Sequence, residues 1–416
     1  MTRAKRNWGE TPWTIRFRAK AKPLPERVNV AIVGGGFTGL AAAATVKRLA
    51  PGKSVLLVEA ERLGNGASGR TGGMVLSETA AGDLPGLGDV LRGYKRILRE
   101  LGVKGELTLP GVWELARGEK SMDGKPVRAM KRSPIEWTDL QTLRVVGKVP
   151  GGSVNPGKVL AGLALAAERA GAQIAEGAAV ERLEFFKPVR LHVRKRERGG
   201  LKRKVVAADR VLIATNAGSL ELGGELFGAK KSEGSKLTFA VATAPLSKKR
   251  LAQIGLQSGR PFYTVDLPYL WGRRLGKNRL IFGSGLVPGY GEIVREEPRG
   301  KRTKEFSVKK VWSGLEELDV RKGEAAERLE SLERRVRQLH PALEKVRVTH
   351  RWGGPILIMK QFIPVFRRHP KSANVMVSGG YSGHGVALSV YLGARAARAM
   401  LGLERGKWEI NRSSGN

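Results

Sequence analysis

The sequence has 416 residues, a length that predicts two or three domains, or one large α/β domain with an insertion. Hydrophobic residues make up 41% of the chain, which excludes global disorder, and the absence of cysteine excludes disulfides, thiolate metal sites and a cysteine nucleophile. Lys and Arg number 75 against 38 Asp and Glu, so the net charge of +37 admits acidic partners such as nucleic acid.

The start of the chain is basic and has no apolar stretch of the kind that an export signal requires. The five histidines are scattered, without the spacing of zinc ligands. An apolar run at 28–46 contains four glycines, so a buried strand, turn and helix explain it better than a membrane span. We therefore expect a cytoplasmic protein without a metal or a transmembrane segment, in which residues 1–27 form a basic N-terminal arm.

The ordered part of the chain begins with a predicted βαβ unit. A parallel strand buried on both faces is predicted for VNVAIV (28–33), because this run is apolar and β-branched. A helix is predicted for GLAAAATVKRLA (39–50), where strong helix formers end at Pro51-Gly52. The second strand of the unit is SVLLVE (54–59).

Similar α/β pieces recur later in the chain. They are a helix and short strand within 155–184, a buried strand in RVLIATNAG (210–218), and a strand, glycine loop and helix at 374–401. Between them, alternating patterns such as KLTFAVATAPL (236–246) predict antiparallel strands, with one helix at 324–339.

The predicted fold class is therefore α/β, with two interleaved domains. The Rossmann-like cofactor-binding domain is discontinuous and comprises residues 28–80, 150–220 and 345–404. The antiparallel-sheet (α+β) substrate or cap domain comprises residues 81–149 and 221–344, and residues 405–416 form a C-terminal tail.

A dinucleotide motif lies between the first strand and the first helix. VGGGFTG places G-x-G-x-x-G at Gly34, Gly36 and Gly39. The first glycine permits the tight turn, the second admits a pyrophosphate, and the third lets the helix pack closely on the strand. Glu59 ends the next strand, where a carboxylate binds an adenosine ribose and repels a 2′-phosphate. We predict a dinucleotide other than NADP, against the alternative of a glycine-rich turn without a ligand.

A second glycine-rich segment, AERLGNGASGRTGGMV (60–75), follows Glu59 directly. An NAD enzyme of this kind has no evident use for such a loop. A flavoprotein must cover the FMN half of its cofactor, and backbone that passes close to the flavin ring requires glycine. The segment therefore favours FAD over NAD.

With these motifs, the sequence resembles the D-amino-acid-oxidase superfamily of FAD-dependent amine oxidoreductases, and within it the branch that includes gamma-glutamylputrescine oxidase. The resemblance covers most of the chain from Trp8 to Leu401 and rests on VAIVGGGFTGLAAA, GASGRTGG, PGKVLAGLALAAERAGAQIAEGAAV, VLIATNAG, RWGGP and SGGYSGHGVALS. It implies an FAD-binding domain. We expect the FAD to be non-covalent, because cysteine is absent and no histidine precedes His192.

The resemblance also implies which residues contact FAD. The diphosphate contacts are Gly34, Gly36 and Gly39 with their neighbours Phe37 and Thr38, and the adenosine contacts are Glu59 and the backbone of Val180. The remaining contacts expected along the cofactor are Ser68, Gly69, Arg70, Thr71, Gly72, Gly73, Ala214, Thr215, Asn216, Gly380, Tyr381, Ser382, Gly383, His384 and Gly385.

The last of these segments, GYSGHG (380–385), directly precedes a predicted helix, so free N–H groups and the helix dipole point at whatever lies ahead of it. Reduced flavin is negatively charged near N1, and donors placed there favour hydride acceptance at N5. The candidate catalytic residues are His384 and Tyr381. For His384, a hydrogen-bonding or structural role competes with proton transfer or substrate contact.

Candidate substrate residues are the polar-tipped and aromatic side chains expected between the sheet domain and the flavin: Tyr263, Tyr269, Trp271, Arg273 and Trp352. An aromatic cage suits an amine, although core packing is the competing interpretation for each ring. Arg273 is expected at the surface. Pro355 stands where related enzymes that bind amino-acid carboxylates have an arginine, which disfavours simple amino acids as substrates.

The leading hypothesis is an FAD-dependent amine oxidase or dehydrogenase. It would oxidise a C–N bond of a small amine or amino-acid derivative by hydride transfer to flavin N5, followed by imine hydrolysis and reoxidation by oxygen or another acceptor. Two alternatives remain: an FAD-dependent tRNA-modifying oxidoreductase, which suits the charge, and a catalytically inactive flavin-binding protein. An NAD dehydrogenase would leave the loop after Glu59 unexplained.

Overall fold

The structure is a computed structural model that describes residues 7–197, 200–218, 234–288, 315, 318–404 and 409–410. Most of the predicted C-terminal tail and part of the predicted cap domain therefore lie outside the described residues. The described strands, in chain order, are β1 Arg27–Val33, β2 Val55–Val58, β3 Met74–Leu76, β4 Val112–Ala116, β5 Glu136–Asp139, β6 Gln141–Val149, β7 Gly151–Ser153, β8 Gln173–Ala175, β9 Ala178–Glu184, β10 Val189–Glu197, β11 Gly200–Ile213, β12 Gly234–Thr243, β13 Phe262–Thr264, β14 Trp271–Leu275, β15 Arg279–Pro288, β16 Val348–Ile358, β17 Val365–His369 and β18 Ser372–Gly379. The described helices are α1 Phe37–Leu49, α2 Ala67–Arg70, α3 Val90–Glu100, α4 Pro156–Arg169, α5 Lys248–Gln253, α6 Gly323–Gln338 and α7 Gly385–Met400.

A mostly parallel sheet contains the predicted βαβ unit, which is confirmed. Its order is β17-β18-β11-β1-β2-β8, with β10 and β9 added beyond β11. The pairs among β18, β11, β1, β2 and β8 are parallel, and the other pairs are antiparallel. All four residues of β2 are buried, as expected for a strand covered on both faces. The carboxyl ends of β1, β2, β11 and β18 meet at one edge of this sheet, which we call the cofactor edge.

Helices α1, α3, α4 and α7 share one hydrophobic core with the parallel sheet. Close packing of α1 on β1 depends on Gly39, because a Cβ there would collide with the carbonyl oxygen of Gly34. The contact between α1 and α7 is equally close, since a Cβ at Gly393 would collide with the carbonyl oxygen of Thr38. Both helix N-termini are thereby held at the cofactor edge.

The second eight-stranded sheet has the order β16-β12-β15-β14-β13-β4-β6-β5, and its pairs are antiparallel except β13–β4. One face packs on α6 through side chains such as Phe239, Phe262 and Leu329. The opposite face, called here the inner face, contacts the glycine loop of residues 64–73 through Trp271. Strand β16 belongs to this sheet, although its sequence lies in the segment predicted for the cofactor-binding domain.

The short strand β3 directly follows the glycine loop and forms a separate antiparallel pair with β7. Among the described residues, no helix combines the length and the apolar composition needed to cross a membrane.

Candidate cofactor and substrate site

The N-terminus of α1 is built to receive an anion. Gly34 has a φ of +109°, and a Cβ there would lie 2.7 Å from the carbonyl oxygen of Ala214. At the N-cap, Gly36 provides no side-chain cap, and the first turn contains no acidic residue. Ser68 Oγ accepts a hydrogen bond from the Phe37 N–H at 2.9 Å, which places the serine at the start of the helix. The helix dipole and the first-turn N–H groups therefore favour a phosphate at this position.

Glu59 lies beside this turn, at the end of β2. Its carboxylate accepts the N–H groups of Gly35 at 2.8 Å and Glu61 at 3.1 Å. Burial raises the pKa of Glu59, so the charged form would gain from further donors such as ribose hydroxyls. Strand β9, which contains Val180, begins next to it, because the Ala178 N–H donates to the Glu59 carbonyl oxygen at 2.8 Å.

The glycine loop (64–73) is fastened by the N-terminal segment, defined here as residues 7–20. Trp13 Nε1 donates to the Gly69 carbonyl oxygen at 2.8 Å. Arg70 Nη1 donates to the carbonyl oxygens of Trp8 and Gly9, both at 3.0 Å. The Arg70 side chain is therefore turned toward this segment.

The role of the N-terminal segment was missed by the sequence analysis, which treated it as a basic arm. A signal was present in the alternation of Trp13, Ile15, Phe17 and Ala19 with polar residues. The structure half-buries these four and exposes the polar residues between them. The segment therefore runs as an extended chain with one face packed against the cofactor-binding half.

The 380–385 loop closes the cofactor edge between β18 and α7. Three of its residues have positive φ, namely Gly380 at +72°, Ser382 at +48° and Gly383 at +96°. Asn216 Oδ1 accepts the Gly380 N–H at 2.9 Å, which ties this loop to the end of β11. Helix α7 begins with no cap among the described side chains and no acid in its first turn, so its N–H groups are available to an acceptor.

Tyr381 points into the core rather than into a substrate site. Its hydroxyl lies 2.6 Å from Thr38 Oγ1 and 3.0 Å from Ser378 Oγ. Burial raises the pKa of Tyr381 to about 12. These contacts connect α1, β18 and the 380–385 loop, and they favour a structural role over the predicted catalytic one.

His384 remains a candidate for a polar contact in the site. Its Nδ1 is buried and has no hydrogen-bond partner among the described residues. Desolvation lowers the pKa of His384 to about 4, so the ring is neutral at pH 7. A neutral ring donates a hydrogen bond from one nitrogen and accepts one at the other, and it adds no positive charge.

The inner face of the antiparallel sheet brings two of the predicted substrate residues together. Tyr263 lies opposite Trp271 in the register of β13 and β14. The Tyr263 hydroxyl donates to Glu114 Oε1 at 2.8 Å. Glu114 was not predicted, although its inward position follows from the alternation of VWELA (112–116). The half-buried Glu78 is a second missed carboxylate, and burial followed by the charge of Glu114 raises its pKa.

Trp271 is the point where this sheet meets the glycine loop. A Cβ at Gly72, or at Gly283 on the neighbouring strand, would collide with the indole ring. Trp352, in contrast, is a core residue with 1% exposure, and its Nε1 donates to the Arg70 carbonyl oxygen at 2.8 Å. Its edge meets Trp13 with ring centroids 5.6 Å apart. For Tyr269, the structure records a backbone role, because its carbonyl oxygen accepts hydrogen bonds from Arg335 and Ser284.

The expectation that Arg273 lies at the surface is wrong. The residue is 3% exposed, because it shares the inner face of β14 with Trp271 while Arg274 occupies the other face. Arg273 Nε donates to the Gly72 carbonyl oxygen and Nη1 to the Arg274 carbonyl oxygen. Nη2 is buried without a partner among the described residues. Desolvation lowers the pKa of Arg273 to about 10, which leaves it positively charged at pH 7.

Together these features define a dinucleotide-binding protein of the Rossmann-like type. Two uncapped helix N-termini converge on one sheet edge, and glycines occupy positions where a Cβ would collide. Glu59 is a half-buried acceptor of the kind that an adenosine ribose requires. Residues 29–399 match the family model DAO, described as FAD dependent oxidoreductase. The chain belongs to this family of FAD-dependent oxidoreductases, and FAD is its cofactor.

Two curated relatives match nearly the full length of the chain. The probable oxidoreductase OrdL of Rhizobium meliloti (strain 1021) is 27% identical, over 95% of this chain and 88% of the relative. The gamma-glutamylputrescine oxidoreductase of Escherichia coli (strain K12) is 25% identical, over 90% of this chain and 84% of the relative. Among solved structures, glycine oxidase from Geobacillus kaustophilus is similar in fold, with a TM-score of 0.67 and 21% identity over 94% of this chain and all of that one.

Proposed function

We propose that the protein oxidises a C–N bond of a small amine or amino-acid derivative, with FAD lying along the glycine loop and the 380–385 loop. The observation that carries this proposal is the row of Trp271, Tyr263 and Glu114 on the inner face, next to Gly72. Aromatic faces and a carboxylate are the groups that bind an ammonium ion. The relative named for gamma-glutamylputrescine, which contains an amine, supports the same substrate class.

Each part of the site has a distinct task in this proposal. When bound, FAD would supply the oxidising chemistry, because a flavin can accept a hydride from the carbon next to an amine nitrogen. Glu114 and Trp271 orient the amine, and the first-turn N–H groups of α7 stabilise the charge that develops on the cofactor. His384 offers a neutral hydrogen-bonding group at the start of that helix. The imine product would hydrolyse to a carbonyl compound and ammonia or a smaller amine, with oxygen or another acceptor as the final oxidant.

The proposal is tested by mixing the FAD-loaded protein anaerobically with a panel of primary, secondary and acidic amines. We expect one class to bleach the flavin absorption band. Trp271→Leu should raise the amine concentration needed for half-bleaching by about tenfold, which corresponds to about 1.4 kcal/mol of lost cation–π and packing energy.

The matched control is Trp113→Leu, because Trp113 is buried on the opposite face of the same sheet and packs in the core with α6. This variant should bind amines as the wild type does, as long as it folds. If no amine in the panel bleached the flavin, amine oxidation would be rejected and an inactive flavin-binding protein would be the better description.

A further inference from the structure

We propose that Arg273 is a positioning residue that acts on FAD through the Gly72–Gly73 peptide group and raises the reduction potential of the flavin. The inference rests on the placement of the flavin along the glycine loop, as proposed above. Arg273 lies behind the glycine loop, and the inference includes no contact between Arg273 and the substrate.

The geometry places a positive charge directly behind this peptide group. Arg273 Nε donates to the Gly72 carbonyl oxygen. A Cβ at Gly73 would lie only 3.1 Å from Arg273 Nη2, so the guanidinium extends along both glycines. The Gly72 carbonyl and the Gly73 N–H belong to one peptide group. A cation bound to the carbonyl polarises that group and strengthens its N–H as a donor.

The Gly73 N–H forms only a weak hydrogen bond with the described part of the protein. Its recorded acceptor is Thr71 Oγ1 at 3.3 Å, which is long for an N–H···O hydrogen bond. A polarised donor on a loop beside the flavin therefore favours the form of the cofactor with more negative charge. The reduced flavin is that form, so the proposed effect is a higher potential.

The burial of Arg273 is energetically unfavourable, and a role in function would explain why it is retained. A buried guanidinium is unfavourable unless carboxylates and hydrogen bonds compensate for its desolvation. Among the described residues, Arg273 forms no ion pair, and Nη2 lacks an acceptor. Glu106 attracts it from a distance, but that carboxylate is already bonded to Lys158 and Asn155. The positive charge of Arg273 is therefore not neutralised by any carboxylate that the structure describes, and it can act on the flavin proposed to lie on the other side of the glycine loop.

Three variants separate this electrostatic role from simple anchoring of the loop. Arg273→Met keeps much of the side-chain length and removes the charge. Arg273→Lys keeps the charge, and its ammonium group can still donate a hydrogen bond to the Gly72 carbonyl oxygen, but it lacks the planar fork of arginine. Arg274→Met is the matched control, because Arg274 is the next residue on the other face of β14 and bonds to the Gln257 carbonyl oxygen at 3.2 Å.

The measurements are the reduction potential of the protein-bound flavin and its affinity for sulfite, which attacks electron-poor flavins. Neither needs an amine, so this inference can fail while amine oxidation stands, and the reverse also holds. For Arg273→Met we expect the equilibrium constant for two-electron reduction to fall about tenfold, equivalent to about 30 mV, with weaker sulfite binding. Arg273→Lys and Arg274→Met should stay within about threefold of the wild type, on the same scale of equilibrium constants.

Two results would overturn the inference. One is an Arg273→Met protein that binds FAD more weakly but keeps the wild-type potential, as mere anchoring requires. The other is an Arg273→Lys protein whose potential falls as far as that expected for Arg273→Met. If Arg273→Met does not retain FAD, an Arg273→Lys protein that binds FAD with a lowered potential still overturns the inference, because lysine preserves the charge and a donor for the Gly72 carbonyl oxygen.

Discussion

Glu59 illustrates how one residue of the site is held ready for a ligand. Its two carboxylate oxygens accept N–H groups from Gly35 and Glu61, and burial raises its pKa. A ribose hydroxyl would add a hydrogen bond to a charged group, which contributes about 1.5–3 kcal/mol. We therefore expect Glu59→Gln to raise the dissociation constant for FAD about 10- to 100-fold. This dissociation constant is measured by titrating the apoprotein with FAD and monitoring the flavin fluorescence.

The control for this prediction is Glu61→Gln. Glu61 lies two residues further along and is exposed, where its Oε2 accepts a hydrogen bond from Asn65 Nδ2 at 2.6 Å. Its replacement should leave FAD affinity within about twofold, as for a surface site. Equal losses in both variants would point to general loosening of the turn and contradict ribose recognition by Glu59.

His384 gives a prediction about pH. Desolvation lowers its pKa from 6.5 to about 4, so between these values the unfolded chain binds a proton that the folded apoprotein does not. Stability must therefore fall as the pH falls through this window. His384→Gln should remove about 3 kcal/mol of that loss, since the shift from 6.5 to about 4 is counted at about 1.4 kcal/mol per pKa unit. Urea denaturation of both apoproteins across the window tests this, and parallel curves would contradict the burial of a neutral ring.

At the scale of elements, the crossing of α1 and α7 controls the cofactor edge. Thr38 of α1 contacts Gly393 through its carbonyl oxygen and Tyr381 through its hydroxyl. A methyl group in Gly393→Ala must push the helices apart, and overpacking of this kind costs about 1–3 kcal/mol. We expect a lower urea midpoint together with weaker FAD binding, because both helix N-termini move.

Gly52→Ala is the matched control, because Gly52 follows α1 in a turn and no atom lies within 4 Å of its added Cβ. Its stability should change by less than about 1 kcal/mol. A Gly393→Ala protein as stable as this control would show that the two helices tolerate a wider spacing.

The elements around the cofactor could be predicted because their signals are local. The strand–glycine–helix pattern defines β1 and α1, and the role predicted for Gly39 depends only on the backbone beside it. Partners of strands are not local. The run RWGGPILI (351–358) suits either sheet by composition, and only the three-dimensional structure shows that β16 pairs with β12. Side-chain direction within the site was equally hidden, as Arg273 and Tyr381 show.

At the scale of the whole molecule, the glycine loop joins parts of the chain that are distant in sequence. The N-terminal segment holds it through Trp13, β14 holds it through Trp271 and Arg273, and β16 holds it through Trp352. The loop also follows β2 of the parallel sheet and contacts the start of α1 through Ser68, so the two large sheets share it, and the proposed flavin lies along it. Cofactor binding should consequently stabilise both sheets, because a ligand that binds only the folded state shifts the entire unfolding equilibrium.

The net charge of +37 raises the alternative of a tRNA-modifying enzyme, and the structure suggests where polyanions would bind instead. A cavity of about 540 Å³ has four basic residues in its lining, Arg27, Lys53, Lys187 and Arg210, together with one acidic residue, Asp209, which forms an ion pair with Arg27. Arg27 begins β1 and Lys53 precedes β2, so this cavity lies at the sheet edge opposite the cofactor edge. We expect single-stranded RNA to bind at low salt and to leave amine-dependent bleaching of the flavin unchanged, because the two sites are separated by the length of the strands.

The salt dependence of RNA binding distinguishes this cavity from an RNA site at the flavin. For single strands, each neutralised phosphate contributes about 0.7 to the slope of log affinity against log salt. Lys53→Ala with Lys187→Ala should therefore lower that slope by about 1.4, if each lysine neutralises one phosphate. Reduction of the flavin by an amine provides the second measurement. RNA that slowed this reduction in wild type and double variant alike would place the polyanion at the cofactor edge, and it would favour the tRNA-modifying enzyme over amine oxidation of a free substrate.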